Sequence, residues 1–267
     1  MLLCKGQNMI SYMHFGNKKM RKIIFFIFLL LSLFPITNSV IIKVEVPESL
    51  FGNFTSFSYD SSKDILKFWF EFYNSGSTAY KTRVRLDVFN DSRIIFTGWS
   101  DEKVLMPGDR KNFEIYWYTN STGNFSIRVR AYFGNEIFER RITIEKNNSF
   151  SPQDIFEIRN FRTYDDFIVF DIKAKRNAKN VVVLPSNFPL GWIFEQKRID
   201  FLKKEEEKTI AINYQPTVWT EGKLSLIVAS DDGKYKTEKI FEMKKETGII
   251  WLIHFLLDKI KLFISFF

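Results

Sequence analysis

From Val40 to Glu145 apolar and polar residues alternate with a period of two. Leu66, Phe68, Phe70 and Phe72 interleave with Lys67, Trp69, Glu71 and Tyr73, and Val84, Leu86 and Val88 interleave with Arg83, Arg85 and Asp87. Alternate side chains of a strand point to opposite faces, so these runs predict half-buried strands. Phe113-Ile115-Trp117 and Phe125 through Phe133 repeat the pattern, separated by turn signals at Asn74-Ser75-Gly76, Asn90-Asp91, Pro107-Gly108-Asp109, Asn120 to Gly123 and Gly134-Asn135. About seven short strands in roughly 105 residues, with turn signals every 8–12 residues, predict an antiparallel β-sandwich of immunoglobulin type lacking the Cys-Trp-Cys core.

A polar stretch at 147–153 reads as a linker, after which the period of two resumes. Ile168-Phe170-Ile172-Ala174, Val181-Val183, Ile210-Ile212-Tyr214 and Leu224-Leu226-Val228 predict a second sandwich over 154–245. The expected fold is therefore all-β: two tandem immunoglobulin-like antiparallel β-sandwiches, at 40–146 and 154–245, preceded by a leader and followed by a C-terminal helix over 246–267.

The leader, residues 1–39, has the three parts of a secretory signal. Lys18-Lys19-Met20-Arg21-Lys22 is basic, Ile23 to Phe34 is apolar apart from Ser32, and Pro35 to Ser39 supplies a breaker and small or polar residues. Its apolar run is short of the roughly 20 residues a spanning helix needs. Residues 1–19 precede an already complete signal, and Met20 alone could start it. The expectation is export, cleavage after Ser39, and residence on the extracytoplasmic face of the membrane or the cell surface.

Charge and composition then narrow the function. The formal net charge is +8, but beyond the leader 34 basic residues face 31 acidic ones, spread along both halves, so no nucleic-acid partner is expected. With one Cys and two His in the whole chain there is no disulfide framework and no ordinary Cys/His site, so neither metal nor cofactor is expected. Asp165-Asp166 and Asp231-Asp232 are adjacent carboxylates at turn-like positions, where they serve turns rather than acid/base chemistry. The chain is not expected to be an enzyme. Asn53, Asn90, Asn120, Asn124 and Asn147 each open an Asn-x-Ser/Thr tripeptide that glycosylation could use in an exported chain.

Leu66 to Ala79, Val84 to Phe89, Val104 to Gly108, Phe113 to Trp117 and Gly123 to Tyr132 share the pattern of a strand ending in an Asn-x-Gly turn, a Pro-Gly turn, an aromatic strand and a Gly-led strand. In this, residues 60–145 resemble the cell-adhesion-related (CARDB-type) Ig-like modules of prokaryotic envelope proteins. Leu184-Pro185 through Pro189-Leu190-Gly191-Trp192, Leu202 to Lys208, Trp219 to Gly222 and Leu224 to Ser230 are more loosely similar to Ig-like modules appended to glycosidases and surface proteins. The resemblance implies a non-enzymatic surface module with no catalytic residues to carry over.

Two features remain as candidate sites. If Leu66, Phe68, Phe70 and Phe72 face the core, Trp69 and Tyr73 face out, and so do Tyr116 and Tyr118 on a strand expected to lie alongside. The four rings could form a platform for a sugar or a protein, unless the second domain packs over them. In the tail, Thr247, His254, Asp258, Lys261 and Ser265 recur at helical spacing and make one polar stripe on an otherwise apolar helix. Three arrangements fit: a helix lying in the membrane interface, a spanning helix, or a helix docked on the protein or on another subunit. Spanning carries a cost of about 2.5–3.5 kcal/mol for each central charge.

The expected function is a non-catalytic envelope protein that binds, adheres or spaces through its tandem domains, tethered to membrane lipid by the tail, with envelope proteins or surface glycans as partners. The alternative is an accessory subunit of a surface enzyme or secretion complex. N-terminal sequencing of the protein from its native source should return Val40; a chain beginning at Met1 or Met20 would show that the signal is retained.

Overall fold

Alternation places the cores. The structure, a computed structural model, describes residues 48–264 apart from 62, 150, 190, 217–220, 231 and 245–248. The leader, together with Asp231, Trp219, Thr247 and Ser265, lies outside the described residues. The first sandwich comprises β1 (Gly52–Asp60), β2 (Ile65–Asn74), β3 (Tyr80–Asn90), β4 (Arg93–Trp99), β5 (Lys103–Leu105), β6 (Arg110–Tyr118), β7 (Gly123–Phe133) and β8 (Glu136–Lys146). The second comprises β9 (Phe156–Thr163), β10 (Phe167–Ala174), β11 (Ala178–Ser186), β12 (Ile193–Phe194), β13 (Lys197–Leu202), β14 (Glu207–Gln215), β15 (Gly222–Ser230) and β16 (Lys236–Met243). One described helix follows, α1 (Ile249–Ile264).

In the first sandwich a sheet of order β1-β2-β6 packs on one of order β4-β3-β7-β8, with β5 pairing the far end of β3. In the second, β12-β14-β10-β9 packs on β13-β11-β15-β16. All pairings within these sheets are antiparallel. Phe68, Phe70, Phe72, Val84, Leu86, Val88, Phe113, Ile115, Ile127, Val129 and Ala131 meet between the first pair of sheets. Burying each large side chain there contributes roughly 1.5–3 kcal/mol. The Trp of the Pro-x-Gly-Trp element is a core residue of the second sandwich, with the Trp192 ring stacked on Tyr214 at 5.2 Å.

The turn that ends β2 is held from inside. Asn74 is fully buried: its Nδ2 donates to the carbonyls of Thr78 (2.9 Å) and Leu105 (3.2 Å), and its Oδ1 accepts from Gly76 N (3.0 Å). Its backbone also joins the Pro-Gly turn, Asn74 N donating to Asp109 O and Gly108 N donating to Asn74 O. Gly76 is needed here because a Cβ would lie 2.2 Å from the carbonyl oxygen of Ser49.

Both sandwiches belong to one compact unit, residues 46–267. Ile65 and Tyr116 of the first pack against Val182, Leu184, Ile227 and Ala229 of the second. Gln196 straddles the edge of β6, its Oε1 accepting from Tyr116 N and its Nε2 donating to Tyr116 O, both at 2.7 Å. Arg83 donates to Gln215 (3.1 Å) and Glu195 (3.4 Å), and Lys146, at the end of β8, makes a fully buried ion pair with Asp64 at 2.9 Å. The linker stretch is fastened too: Gln153 N donates to Lys234 O, and Lys236 N donates to Gln153 O.

Asn74→Ala removes the donor to one buried and one partly buried carbonyl and should lower the unfolding free energy by about 1–3 kcal/mol. In urea titration the midpoint should fall with the slope unchanged.

Candidate functional site

The helix docks on its own chain with its polar side inward. On β10 the residues Phe167, Val169 and Asp171 point away from the sandwich core, and α1 covers them. Trp251, Phe255 and Leu262 pack on Tyr164, Phe167, Val169 and Ala211. Residues three, four and seven positions from Asp258 share its face of the helix, so Trp251, His254, Phe255, Lys261 and Leu262 are its neighbours.

Asp258 is only 1% exposed. Its carboxylate accepts from Arg162 Nη1 at 2.5 Å and from the Tyr164 hydroxyl at 2.6 Å. A buried carboxylate in apolar surroundings is tolerated when a countercharge and donors surround it, and both are supplied by the segment that leads from β9 into β10. Lys261 lies 3.7 Å from Asp171, which also accepts from Asn160 Nδ2 and Thr209 Oγ1, each at 2.7 Å. Burial pushes the Asp171 carboxyl up, but the bonds from Asn160 and Thr209 and the Lys261 ammonium outweigh it and hold the group below its usual value. Asn160 reaches Asp171 from a left-handed backbone position, φ 51°, beside an irregularity in the β9–β10 register.

The opposite face of α1 is apolar and open. Leu252, Ile253, Leu256, Leu257, Ile260 and Phe263 are each about half exposed or more, up to 68% for Phe263. A helix on a water-soluble surface normally has the reverse arrangement. Among the described residues no helix is long and apolar enough to cross a membrane. Of the expected polar stripe, His254, Asp258 and Lys261 are described, and Asp258 and Lys261 point to the protein.

The four aromatic residues separate into two groups, although β2 and β6 do lie side by side. Tyr116 is 6% exposed and sits in the contact between sandwiches, with Tyr118 packed beside it under Lys236. Burial and its hydrogen bond to Glu114 push the Tyr116 phenol up. A four-ring open platform is thus not formed, because the second sandwich covers the β6 end. Trp69 and Tyr73 stay half-exposed, with Lys67 over the Trp69 ring at 4.6 Å and Arg110 over the Tyr73 ring at 5.1 Å.

Asn53, Asn90, Asn120, Asn124 and Asn147 are all exposed. Asp165 and Asp166 sit in the exposed β9–β10 turn, and Asp232 accepts from Ser230 Oγ and Lys234 N within its own turn. What sequence reasoning missed is the seat of the helix: Arg162, Tyr164 and Asp171. The signal was present in Phe167-Ile168-Val169-Phe170, a run apolar on both faces, as strands covered on both sides are.

No family model matches the chain, and no curated protein does. Among solved structures, a red sea bream transglutaminase is similar over 76% of this chain and 32% of its own, at 7% identity and a TM-score of 0.28. The BSP domain of a biofilm-associated protein is similar over 74% and 52%, at 6% identity and a TM-score of 0.24. A Salmonella alpha-2-macroglobulin reacted with methylamine is similar over 78% and 17%, at 15% identity and a TM-score of 0.26. The chain spans about half or less of the length of these structures, and likenesses of this size carry no functional argument.

Asp258→Ala removes the carboxylate to which Arg162 and Tyr164 donate and should weaken the helix's attachment by about 3 kcal/mol. In hydrogen exchange the amides of α1 should lose protection while those of β2 keep it. The share of docking owed to Asp171, whose native value is depressed, is present above the ordinary carboxyl value of 3.8 and is lost as pH falls below it.

Proposed function

We propose that this protein is an exported, non-catalytic envelope protein that lies on the membrane through α1 and holds its two Ig-like sandwiches there to bind or space other surface components. The reversed polarity of α1 carries this. A helix of 16 residues, about 24 Å long, that turns its buried carboxylate toward the body and six large apolar side chains outward presents the surface an interfacial helix presents to lipid. Moving those side chains out of water contributes on the order of 1 kcal/mol each. Left in water, they would form an apolar strip that monomeric surfaces seldom carry.

The Ig-like reading draws support from strand order. The sheets β1-β2-β6 and β4-β3-β7-β8, and likewise β9-β10-β14 and β13-β11-β15-β16, place the first, second and fifth principal strands in one sheet and the third, sixth and seventh in the other. The CARDB-type resemblance of residues 60–145, the leader's signal pattern and the exposed sequons favour an extracytoplasmic setting.

The mature chain should float with vesicles of phosphatidylcholine and phosphatidylglycerol and stay bound in high salt, since apolar contact is not screened. Leu256→Glu with Ile260→Glu should abolish flotation and leave the thermal midpoint nearly unchanged, because both side chains are exposed. A wild-type chain that stays monodisperse in the supernatant without detergent would overturn the proposal, as would one that forms a stoichiometric complex through this face and ignores vesicles.

A further inference from the structure

Basic residues that look scattered along the chain are gathered by the five-stranded sheet of the first sandwich. On its outer face Arg85 stands opposite Arg130 on one side and Trp99 on the other; Asp87 stands opposite Arg128 and Thr97. Continuing across, Arg130 faces Glu139 and Arg128 faces Arg141. Four guanidiniums therefore share two carboxylates. Asp87, with no exposed surface, accepts from Arg85 Nε (2.8 Å), Arg128 Nη2 (3.0 Å) and Thr97 Oγ1 (2.8 Å). Glu139 accepts from Arg130 Nε (2.9 Å) and Arg141 Nε (3.0 Å).

The arrangement carries more positive charge than its own two carboxylates balance. Like charges directly opposite on neighbouring strands are unfavourable by a few tenths of a kcal/mol or more. Arg85 and Arg130 form such a pair, and so do Arg128 and Arg141. The bridging carboxylates offset this in part, and four guanidiniums against two carboxylates leave a surplus of positive charge. Two of the guanidiniums lie against rings, Arg85 at 5.4 Å from Trp99 and Arg128 at 4.9 Å from Phe89; their side chains and that of Arg130 are about one-fifth exposed, and Arg141 is 71% exposed. All four are arginines, whose fork matches a carboxylate bidentately, as an ammonium does not.

We infer that this face binds an extended polysaccharide bearing carboxylates. The inference rests on the extracytoplasmic setting of the proposed function. A sheet face suits a chain lying across its strands, and it offers duplex nucleic acid no element to enter its grooves. Single strands want open rings for base stacking, whereas Trp99 is 6% exposed and the partly exposed Phe89 and Tyr132 are taken up by Arg128 and Trp99.

The test uses the full chain in mild detergent without lipid, so it can fail while vesicle binding succeeds, and the reverse. Polygalacturonate should bind at low salt and neutral dextran should not. Arg130→Gln with Arg141→Gln should weaken polygalacturonate at least about tenfold through loss of charge-assisted hydrogen bonds. Arg110→Gln with Arg140→Gln removes the same charge away from this face and should leave binding within about twofold if position rather than net charge decides. Circular dichroism establishes that each variant is folded. Equal losses in the two double variants, no binding of polygalacturonate by the wild type, or tighter binding of duplex DNA would each overturn the inference.

Discussion

A β-sheet that is apolar on both faces has to be covered twice, and the second sandwich meets this constraint on both of its sheets. Its inner faces close on each other around Ile168, Phe170, Val181, Val183, Leu224 and Leu226. The outer face carrying Val182, Leu184, Ile227 and Ala229 is closed by Ile65 and Tyr116 of the first sandwich. The outer face carrying Phe167 and Val169 is closed by α1. The order of layers follows: first sandwich, two sheets, helix. The helix and the first sandwich thus occupy opposite faces of the second, and the open apolar face of α1 lies on the side away from the first sandwich.

Polar groups buried at these closures set their geometry. Apolar surfaces slide over one another at little cost, whereas a buried charge tolerates only the position in which its partners meet it. Asp258 fixes α1 against Arg162 and Tyr164, and Lys146 with Asp64 fixes the exit from β8. Asn74 does the same for two turns within one domain, as a neutral amide satisfied on both its oxygen and its nitrogen.

Period-two alternation is a statement about which residues share a face, and for the first sandwich that was sufficient: Leu66 through Phe72, Val84 through Val88 and Phe125 through Phe133 line the core as the pattern predicts. It says nothing of what covers a face. Val181-Val182-Val183-Leu184 and Leu226-Ile227-Val228-Ala229 were legible as strands, but their second apolar face, the one under Tyr116, was averaged away by counting only alternate positions. The same blindness left Tyr116 and Tyr118 looking exposed. The helix's polar stripe was legible from spacing, yet its direction was not, because a stripe can face water or a buried partner with the same periodicity. Charge was the least legible: Arg85, Arg128 and Arg141 become neighbours only through pairing across β3, β7 and β8.

Gln196 bears on a different matter. A strand at the rim of a sheet exposes backbone donors and acceptors that can recruit a strand from another molecule. On β6 the Tyr116 amide and carbonyl are both taken by one side-chain amide, which does for that position what a neighbouring strand would do. At that position the rim of the sheet β1-β2-β6 has no free backbone pair to offer an incoming strand. The other rim is β1, whose pairing with β2 is interrupted by a register shift between Phe54 and Ser56. Such an irregularity bends and twists the strand, making its outer rim a poor template for a straight incoming chain.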